Sequence, residues 1–318
     1  MITEERRNYL AKQGYRLVGN HSAIKTCHYC SAAVKGNDIC YKNTFYNIAS
    51  WRCIQATVTL DLCNLRCRWC WRDINYGTSN GSMFTDEPQD IVEGFIKEHK
   101  NVMMGFYGSN KVIKDRLDET MSPKHVALSL TGDACLYPRL PELIKEIHNK
   151  HMTSFVVTNG TITPMVKKLV NQQPTQLYIT LPAPNKETYL KMCNPIAGIY
   201  GWENILESLY LLEHFKRSAV RLTLVKNMNM FNPHEYAKIL EDKGFKFLEL
   251  KSAMPVGDAR YRMEYSEMPS HEEIRKFAQD ICKINKWEII DEKQESRVVL
   301  IMKEDSDERY LKEEIIEA

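Results

Sequence analysis

Three cysteines stand at a spacing that suits an iron–sulfur cluster. Cys63, Cys67 and Cys70 form a C-x3-C-x2-C pattern directly after a strand-like run at residues 56–60. Cysteine thiolates are the usual ligands of 4Fe–4S clusters, so three of them on one tight loop can hold three irons and leave the fourth iron open to a small chelating cofactor. A zinc site would usually need four ligands in paired spacings. No fourth ligand stands beside these three in the sequence, and the cluster is the preferred interpretation.

A second set of cysteines precedes this motif. Cys27, Cys40 and Cys53 are evenly spaced in a polar, turn-rich stretch that predicts loops joined by short helical turns. This concentration of thiolates indicates a second metal site, and we expect a second 4Fe–4S cluster with one open iron. Cys30 is either a fourth ligand or a bystander, and Cys27 with Cys30 could instead begin a zinc knuckle.

The C-x3-C-x2-C motif resembles the signature of the radical S-adenosylmethionine (SAM) superfamily. The resemblance implies that the open iron binds the amino and carboxylate groups of SAM, and that one electron cleaves SAM to methionine and a 5′-deoxyadenosyl radical. Two strand ends resemble the SAM-binding segments of that superfamily. One is Thr131-Gly132-Asp133, where the superfamily usually has Gly-Glu-Pro, and the other is Thr158-Asn159.

The two cysteine sets together, followed by Trp71-Arg72, resemble the archaeal form of the tRNA 4-demethylwyosine synthase family over nearly the whole chain. The resemblance implies two substrates, pyruvate and tRNA-Phe carrying N1-methylguanosine just 3′ of the anticodon. The radical would abstract hydrogen from the N-methyl group, and two carbons of pyruvate would close the third ring of the tricyclic base. The second cluster would present pyruvate.

Lys42 matches a lysine that the family is proposed to use for a Schiff base with pyruvate. It stands two residues after Cys40. A free lysine is protonated near neutral pH, so desolvation would be needed to make it a nucleophile. The alternative is a cation that only neutralises cluster charge.

Alternating strands and helices must position these residues. The pattern predicts strands at residues 56–60, 125–132, 153–160, 176–182, 219–225 and 245–251. It predicts helices at residues 86–100, 140–150, 164–171, 201–215 and 233–242. Such βα units indicate a parallel sheet. Six of them make an α/β fold of the partial (β/α)6 TIM-like type, which is also the radical SAM core, with function at the carboxyl ends of the strands.

Segments on both sides of the barrel complete the predicted domains. Residues 1–54 form an N-terminal extension that carries the second cysteine set, beginning with a helix and linker at residues 1–26. Residues 55–265 form the barrel, and a polar loop is expected at residues 77–81. Residues 266–318 supply a helix at 270–285 and an antiparallel ribbon near 287–290 and 297–302 that caps the barrel.

A basic loop after the last barrel strand is the candidate RNA contact. Lys251, Arg260 and Arg262, with Tyr261 interleaved, suit phosphate contact and base stacking. The methylated base would have to leave the stack of the anticodon loop to reach the barrel. Residues 105–122 are a weaker basic candidate.

Composition limits the partners and the compartment. Lysine plus arginine number 43 against 41 acids, a net charge of +2 in 318 residues, so RNA binding would need a local basic patch. The charged N-terminus has no secretory signal, and no apolar run reaches the length of a membrane span. We expect a cytoplasmic monomer without membrane contact. Ten cysteines then favour metal binding or catalysis over disulfides. The chain has no flavodoxin-like domain, so an external electron donor of the ferredoxin or flavodoxin type is expected.

Two other functions fit parts of the pattern. One is a radical SAM enzyme that acts on another substrate such as a peptide, but those enzymes usually carry extra cysteines after the barrel, and here only Cys282 stands late. The other is a zinc-dependent RNA-binding module without catalysis, which would bind zinc, cleave no SAM and be colourless.

Overall fold

The computed structural model describes residues 2–75, 86–196 and 201–312. The described residues form eleven α-helices and ten strands. The helices are α1 Glu4–Lys12, α2 His28–Val34, α3 Tyr41–Tyr46, α4 Pro88–Met104, α5 Lys114–Thr120, α6 Leu140–Asn149, α7 Thr163–Asn171, α8 Lys186–Cys193, α9 Gly201–Tyr210, α10 Pro233–Leu240 and α11 His271–Asn285. The strands are β1 Tyr15–Val18, β2 Ser22–Lys25, β3 Cys53–Thr57, β4 His125–Leu128, β5 Thr153–Thr158, β6 Gln176–Thr180, β7 Ser218–Leu224, β8 Phe247–Ser252, β9 Glu288–Lys293 and β10 Val298–Met302. The polar loop expected at residues 77–81 lies outside the described residues.

The chain divides into two compact units. Unit 1 contains Met1–Leu60, Asn80–Val157 and Tyr310–Ala318, and unit 2 contains Asp61–Ser79 and Thr158–Arg309. Each unit holds one of the two cysteine sets, Cys27, Cys40 and Cys53 in unit 1 and the C-x3-C-x2-C motif in unit 2. The domain limits at residues 54 and 265 stay a prediction.

Three parallel strands form the centre of unit 1. The pairings run β3 with β4 and β4 with β5, with Cys53, His125 and Thr153 in one row across the strands. Helices α4 and α6 pack against each other in this unit. Both begin with a proline in the first turn, where its missing N–H group costs no helical hydrogen bond.

The N-terminal segment differs from its prediction. The helix is confirmed as α1, and Thr3 caps it by accepting a hydrogen bond from the Arg6 amide at 3.3 Å. The expected linker is instead the hairpin β1–β2, and β2 pairs antiparallel with β3. Strands of four residues that include Arg16 and Lys25 carry too little apolar alternation to be recognised from sequence.

Unit 2 contains three further parallel strands and an antiparallel extension. The strand order is β6-β7-β8-β10-β9, and β10 pairs antiparallel with both β8 and β9. The predicted C-terminal ribbon is therefore confirmed as antiparallel, and it continues the sheet beside β8. Helix α11 precedes it, with a capping box formed by Ser270 and Glu273.

Two short helices were not predicted. Helix α5 lies in the 105–122 segment, and α8 follows β6. Asn185 caps α8 by accepting a hydrogen bond from the Thr188 amide at 3.0 Å, and Asn194 ends the helix in the left-handed region with φ of 39°. Asparagine is favoured at both positions. Among the described residues, no helix combines the length and apolar character needed to cross a membrane.

Candidate cluster sites and their surroundings

Arg72 is the charged centre of the C-x3-C-x2-C loop. Its guanidinium is buried, with 5% of the residue exposed, and donates hydrogen bonds to the carbonyl oxygens of Leu65 at 2.9 Å and Asp73 at 3.2 Å. Burial alone would lower the pKa of Arg72, but the three thiols beside it, Cys63 foremost, raise that pKa above its ordinary value. One fixed positive charge therefore faces all three cysteines.

An amide network fixes the start of the loop. Asn159 donates to the side-chain oxygen of Asn64 at 2.8 Å and lies 3.8 Å from the Cys63 sulfur. Its own side-chain oxygen accepts from the amide and hydroxyl of Thr161, at 2.9 and 2.6 Å. Asn64 in turn donates to the Thr161 hydroxyl at 2.6 Å. The predicted SAM-binding residue Asn159 thus also orients the C-x3-C-x2-C loop, residues 63–72, which is called the cluster loop below.

The end of α8 binds the middle of the loop through the backbone. The amide of Arg66 donates to the carbonyl of Cys193 at 2.8 Å, and the amide of Arg68 donates to the carbonyl of Met192 at 2.9 Å. A hydrogen bond between the Cys193 and Cys67 thiols, with burial second, raises the pKa of Cys67 well above its ordinary value. Cys193 itself is fully buried.

The segment 256–262 binds the far end of the same loop. The Asp258 amide donates to the Trp71 carbonyl at 2.9 Å. Gly257 has φ of +55°, and a Cβ there would clash with that carbonyl oxygen. Arg262 donates from Nη2 to the carbonyls of Cys70 and Arg72 and from Nε to the carbonyl of Arg68. Arg262 was expected to contact RNA. In the structure its guanidinium binds backbone carbonyls of the cluster loop.

The other two RNA candidates differ in setting. Arg260 is exposed, donates to the Tyr261 hydroxyl at 2.8 Å and lies over that ring at 4.8 Å. Lys251 is half-buried on β8, on the same strand face as Glu249. Glu249 is fully buried and accepts two hydrogen bonds from Arg221 of β7, at 3.0 and 2.8 Å. This face is polar, whereas parallel strands buried on both sides are usually apolar on both.

Unit 1 brings the second cysteine set together with Lys42. Cys27 and Cys40 occupy the N-cap positions of α2 and α3, and Cys53 begins β3. Desolvation raises the pKa of Cys53 to about 12, while Lys42 lowers it and the thiols of Cys27 and Cys40 raise it further. The ammonium of Lys42 also lies 4.8 Å from the centre of the Phe155 ring. The tertiary fold has thus collected all four residues at one place.

Cys30 lies at the edge of this group and inside an apolar cluster. It is 1% exposed, packs with Val34, Met103 and Leu117, and its thiol lies 3.4 Å from the carbonyl of Trp51. Burial, followed by the three neighbouring thiols, raises the pKa of Cys30 well above its ordinary value. This environment suits a packed thiol better than an exposed ligand.

The predicted SAM segment in unit 1 has an unusual polar atom. The hydroxyl of Thr131 is buried and has no hydrogen-bond partner among the described residues. Gly132 adopts φ of +71°, and Asp133 accepts the Cys135 amide at 2.9 Å, which caps a short 3-10 turn. In unit 2, Thr158 is also buried and accepts the Gly160 amide at 3.2 Å. Asp133 and Thr158 therefore shape their own loops.

The two donor sets suit 4Fe–4S clusters better than single metal ions. Each consists of three thiols gathered around a basic side chain, which suits a site whose net charge with thiolates is negative. Among the residues with described positions, no three His, Cys, Asp or Glu side chains converge closely enough to hold one metal ion. A cubane spreads its ligands over separate irons and has no need of such convergence.

Several residues around these sites were not singled out from the sequence. Folding brings Cys193 and Tyr189 of α8 and the anchor Arg262 to the cluster loop. Asn64 stands within the loop, and folding brings Asn159 and Thr161 to its side chain. His125 lies beside Cys53 in the strand register, and burial, then Arg52, Lys42 and Lys124, lower its pKa to about 3. Only Arg72 had a signal in sequence, as part of the Cys-Trp-Arg run.

Two protein-family models match the chain. The model described as the radical SAM superfamily matches residues 57–241. The model described as wyosine base formation matches residues 229–303. The first spans the cysteine loop and the strands β4–β7.

Named proteins are similar over nearly the full length. An S-adenosyl-L-methionine-dependent tRNA 4-demethylwyosine synthase of Pyrococcus abyssi is 40% identical over 312 residues, which cover 96% of this chain and 91% of that protein. The protein of the same name from Methanocaldococcus jannaschii is 36% identical over 310 residues, 96% of this chain and 97% of that protein.

A solved structure shares the fold. The structure described as TYW1 with a lysine–pyruvate adduct bound superposes with a TM-score of 0.88 at 34% identity, over 98% of this chain and 100% of that chain. The similarity confirms the α/β partial-barrel fold class predicted from the alternation of strands and helices.

Proposed function

The chain belongs to the family of SAM-dependent tRNA 4-demethylwyosine synthases, radical SAM enzymes, and from this premise we propose that it joins two carbons of pyruvate to N1-methylguanosine of tRNA-Phe, 3′ of the anticodon. The observation that supports pyruvate as a substrate is that Lys42 lies close to Cys27, Cys40 and Cys53 in unit 1. A related structure is described as holding a lysine–pyruvate adduct, which supports the same use of Lys42 here.

Unit 2 holds the first cluster in this proposal. Cys63, Cys67 and Cys70 ligate it, and Arg72 offsets the negative charge that three thiolates bring. When bound, the cluster and SAM supply the carbon radical that takes hydrogen from the methylated base. Thr131, Gly132, Asp133, Thr158 and Asn159 are proposed to contact SAM. The unpartnered Thr131 hydroxyl supports this, because a buried polar atom usually has a partner.

Unit 1 holds pyruvate. Cys27, Cys40 and Cys53 ligate the second cluster, and the packed environment of Cys30 supports its role as a bystander. The neutral amine of Lys42 adds to the ketone carbon of pyruvate, and water leaves as the imine forms. The Phe155 ring and the neighbouring thiols limit water around the amine.

The other proposed partners are tRNA, which basic residues would contact, and a protein that donates the electron. Arg260 and Lys251 are proposed to contact tRNA phosphates, while Arg262 adds its structural part in the cluster loop. A ferredoxin- or flavodoxin-type protein supplies the electron. We propose a cytoplasmic monomer.

Trapping with borohydride tests the role of Lys42. Wild-type chain incubated with labelled pyruvate and borohydride should retain label, and Lys42→Ala should retain almost none, because borohydride reduces an imine to a stable amine. Lys25→Ala is the matched control, since Lys25 is another half-buried lysine of unit 1 whose ammonium lies 4.9 Å from an aromatic ring centre. Equal labelling of wild type and Lys42→Ala would remove the Schiff-base role.

The full reaction is tested with tRNA. Reconstituted wild-type chain, SAM, pyruvate, a reductant and tRNA-Phe carrying N1-methylguanosine should yield the tricyclic base, detected by mass spectrometry of nucleosides. A peptide substrate is not favoured, because the matched relatives are tRNA 4-demethylwyosine synthases over nearly their whole length. SAM cleavage without any tricyclic product would overturn the substrate assignment.

A further inference from the structure

The segment 254–267 leaves two aromatic rings in solvent. Tyr261 is 72% exposed and Tyr265 is 75% exposed, and they are the two most exposed large hydrophobic side chains of the described residues. Met254 and Val256 of the same segment are exposed as well. Folded chains usually bury most of the area of an aromatic ring, so a segment with this composition indicates an interaction surface.

The turn that carries Tyr265 is attached to the cluster loop. The side chain of Glu267 accepts the Glu264 amide at 2.8 Å, and the side chain of Glu264 accepts the Glu267 amide in return. Arg68 of the cluster loop donates from Nη2 to both carboxylate oxygens of Glu267, at 2.8 and 3.0 Å. The Lys226 amide, just after β7, donates to the Glu267 carbonyl at 2.8 Å. Tyr265 is therefore exposed on a turn that three other segments hold in place.

Tyr261 is held in a similar way. The guanidinium of Arg260 lies over its ring at 4.8 Å and donates to its hydroxyl at 2.8 Å. Ala259 and Met263, on either side in the sequence, are buried, and Arg262 binds the backbone carbonyls of the cluster loop. Aromatic rings and guanidinium planes both stack on nucleic-acid bases, so this pair suits a base.

The chemistry of the segment favours an RNA loop over a protein partner. Arg262, Glu264 and the buried Met263 stand between the two tyrosines, so the rings are separate platforms rather than one apolar patch. A protein partner would need an interface of about 800 Å² on each side with an apolar centre. Single-stranded RNA instead places one base on each ring. Exposed Arg260 adds a positive charge for the phosphates between the bases.

We infer that Tyr261 and Tyr265 are two stacking platforms for the nucleotides on either side of the methylated guanosine. When that base leaves the stack of the anticodon loop, each flanking base loses a stacking neighbour, which is part of the cost of extrusion. The two rings replace those neighbours and hold the opened RNA loop at the segment that is attached to the cluster loop. The contact is uncharged and independent of base identity. The inference rests on the proposed function for the choice of RNA.

Binding of tRNA-Phe carrying N1-methylguanosine to the reconstituted full chain tests this inference, measured without SAM, pyruvate or reductant. Tyr261→Ala and Tyr265→Ala should each weaken binding about tenfold. The slope of log affinity against log salt should stay that of the wild type, because no phosphate contact is lost. Tyr265→Phe keeps the ring and should bind within about twofold of the wild type. Tyr210→Ala, at a tyrosine of α9 that is 51% exposed in the same unit, is the matched control and should bind like the wild type.

Abasic nucleotides identify the bases that stack. Two anticodon stem–loop RNAs carry an abasic nucleotide directly 5′ or directly 3′ of N1-methylguanosine, so each lacks one of the flanking bases. The wild-type chain should bind each of them about tenfold more weakly than the intact stem–loop. The alanine variant that lacks the matching ring should show no further loss, because the base and the ring contribute only together.

Wild-type affinity in both Tyr261→Ala and Tyr265→Ala would overturn the inference, as would an equal loss in Tyr210→Ala. Abasic losses of the same size in the wild type and in both alanine variants would also overturn it. Unchanged RNA binding together with slower reduction of these variants by a ferredoxin-type protein would assign the surface to the electron donor instead. The proposed function fails differently, through a chain that binds RNA by both rings and forms no tricyclic base, and that result would leave the stacking inference intact.

Discussion

Arg72 is a buried positive charge within the cluster loop. It is buried, it donates to two backbone carbonyls, and three thiols surround it. A cluster with thiolate ligands is negatively charged, so a fixed guanidinium stabilises the loaded loop. In the empty loop the same charge is costly to bury, which ties the stability of this loop to occupation of the site.

We expect Arg72→Met to lose most of the iron of unit 2, so that iron per reconstituted chain falls from about eight to about four. The methionine removes the charge and the hydrogen bonds to the buried Leu65 carbonyl and the partly buried Asp73 carbonyl. Arg72→Lys should hold an intermediate amount, because an ammonium keeps the charge but not the planar fork. Iron and sulfide analysis after gel filtration measures the iron and sulfide bound per chain. Full loading of Arg72→Met would show that the charge is dispensable.

His99 sets a pH dependence of stability in unit 1. It is 3% exposed on α4, and burial lowers its pKa to about 4, against the hydrogen bond to Thr120 and with a small effect of Lys100. The unfolded chain binds this proton near pH 6.5, whereas the folded chain resists it until about pH 4. The free energy of unfolding is therefore unaffected above pH 6.5 and falls as the pH drops below it.

His99→Gln should remove this dependence, since glutamine does not titrate. Between pH 7.5 and pH 5 the wild type should lose about 2 kcal/mol more than His99→Gln. Urea unfolding at both pH values measures the difference. His234→Gln, at an exposed histidine of α10, is the control and should follow the wild type. If the free energy of unfolding of wild type and of His99→Gln changed equally between the two pH values, the pH dependence would not come from His99.

At the scale of elements, the cluster loop is shaped by its neighbours more than by itself. The end of α8 holds Arg66 and Arg68 by their amides, and the segment 256–262 holds the carbonyls from Arg68 to Arg72. The loop makes few backbone hydrogen bonds of its own. Two distant segments therefore supply the rigidity that three cluster ligands require.

Gly257 offers a test of this arrangement. Gly257→Ala places a methyl group against the Trp71 carbonyl and in the left-handed region, so we expect the loop to shift and the iron of unit 2 to fall by at least half. Gly14→Ala is the matched control, because Gly14 has φ of +85° but open space around its Cβ position. It should cost about 1–2 kcal/mol of stability and leave iron unchanged. Equal iron in both variants would contradict the loop contact.

At the scale of the molecule, the net charge of +2 gives no general attraction to RNA. Binding of tRNA would come from local contacts, and exposed Arg260 with its neighbour Tyr261 is the proposed one. We expect Arg260→Ala to lower the slope of log affinity against log salt by about one, as one phosphate contact is lost. Filter binding at several salt concentrations measures it. Lys276→Ala, on the exposed side of α11, should keep the wild-type slope.

The two units make a further prediction about the whole chain. Each carries one cysteine set, so the two clusters should load independently. Triple replacement of Cys63, Cys67 and Cys70 by Ala should leave about four of about eight irons, and so should triple replacement of Cys27, Cys40 and Cys53. A fall to no iron in either triple variant would mean that one cluster is needed to build the other.

Much of the fold was readable from periodicity. Five of the six parallel strands were predicted to begin within two residues of their observed starts, because apolar runs and helix starts such as Pro88 and Ser270 are local signals. The first strand was predicted at residues 56–60, but it spans Cys53–Thr57, because the apolar run continues past the last residue that pairs with β4. The hairpin β1–β2 and the helix α8 were missed. These elements are short, and most of their residues are polar. They are stabilised by partners that lie far away in the sequence.

The sequence by itself determined which residues are candidates for the chemistry, because residue type and spacing are properties of the chain: six cysteines and the Cys-Trp-Arg run were found there, and Lys42 was found through the family resemblance. Only the tertiary structure decided what surrounds those ligands. It placed Tyr189 and Cys193 beside the cluster loop, assigned Arg262 to loop carbonyls, and buried Cys30 in an apolar cluster. These relations join residues tens to hundreds of positions apart, and such contacts leave no local pattern from which they could be read.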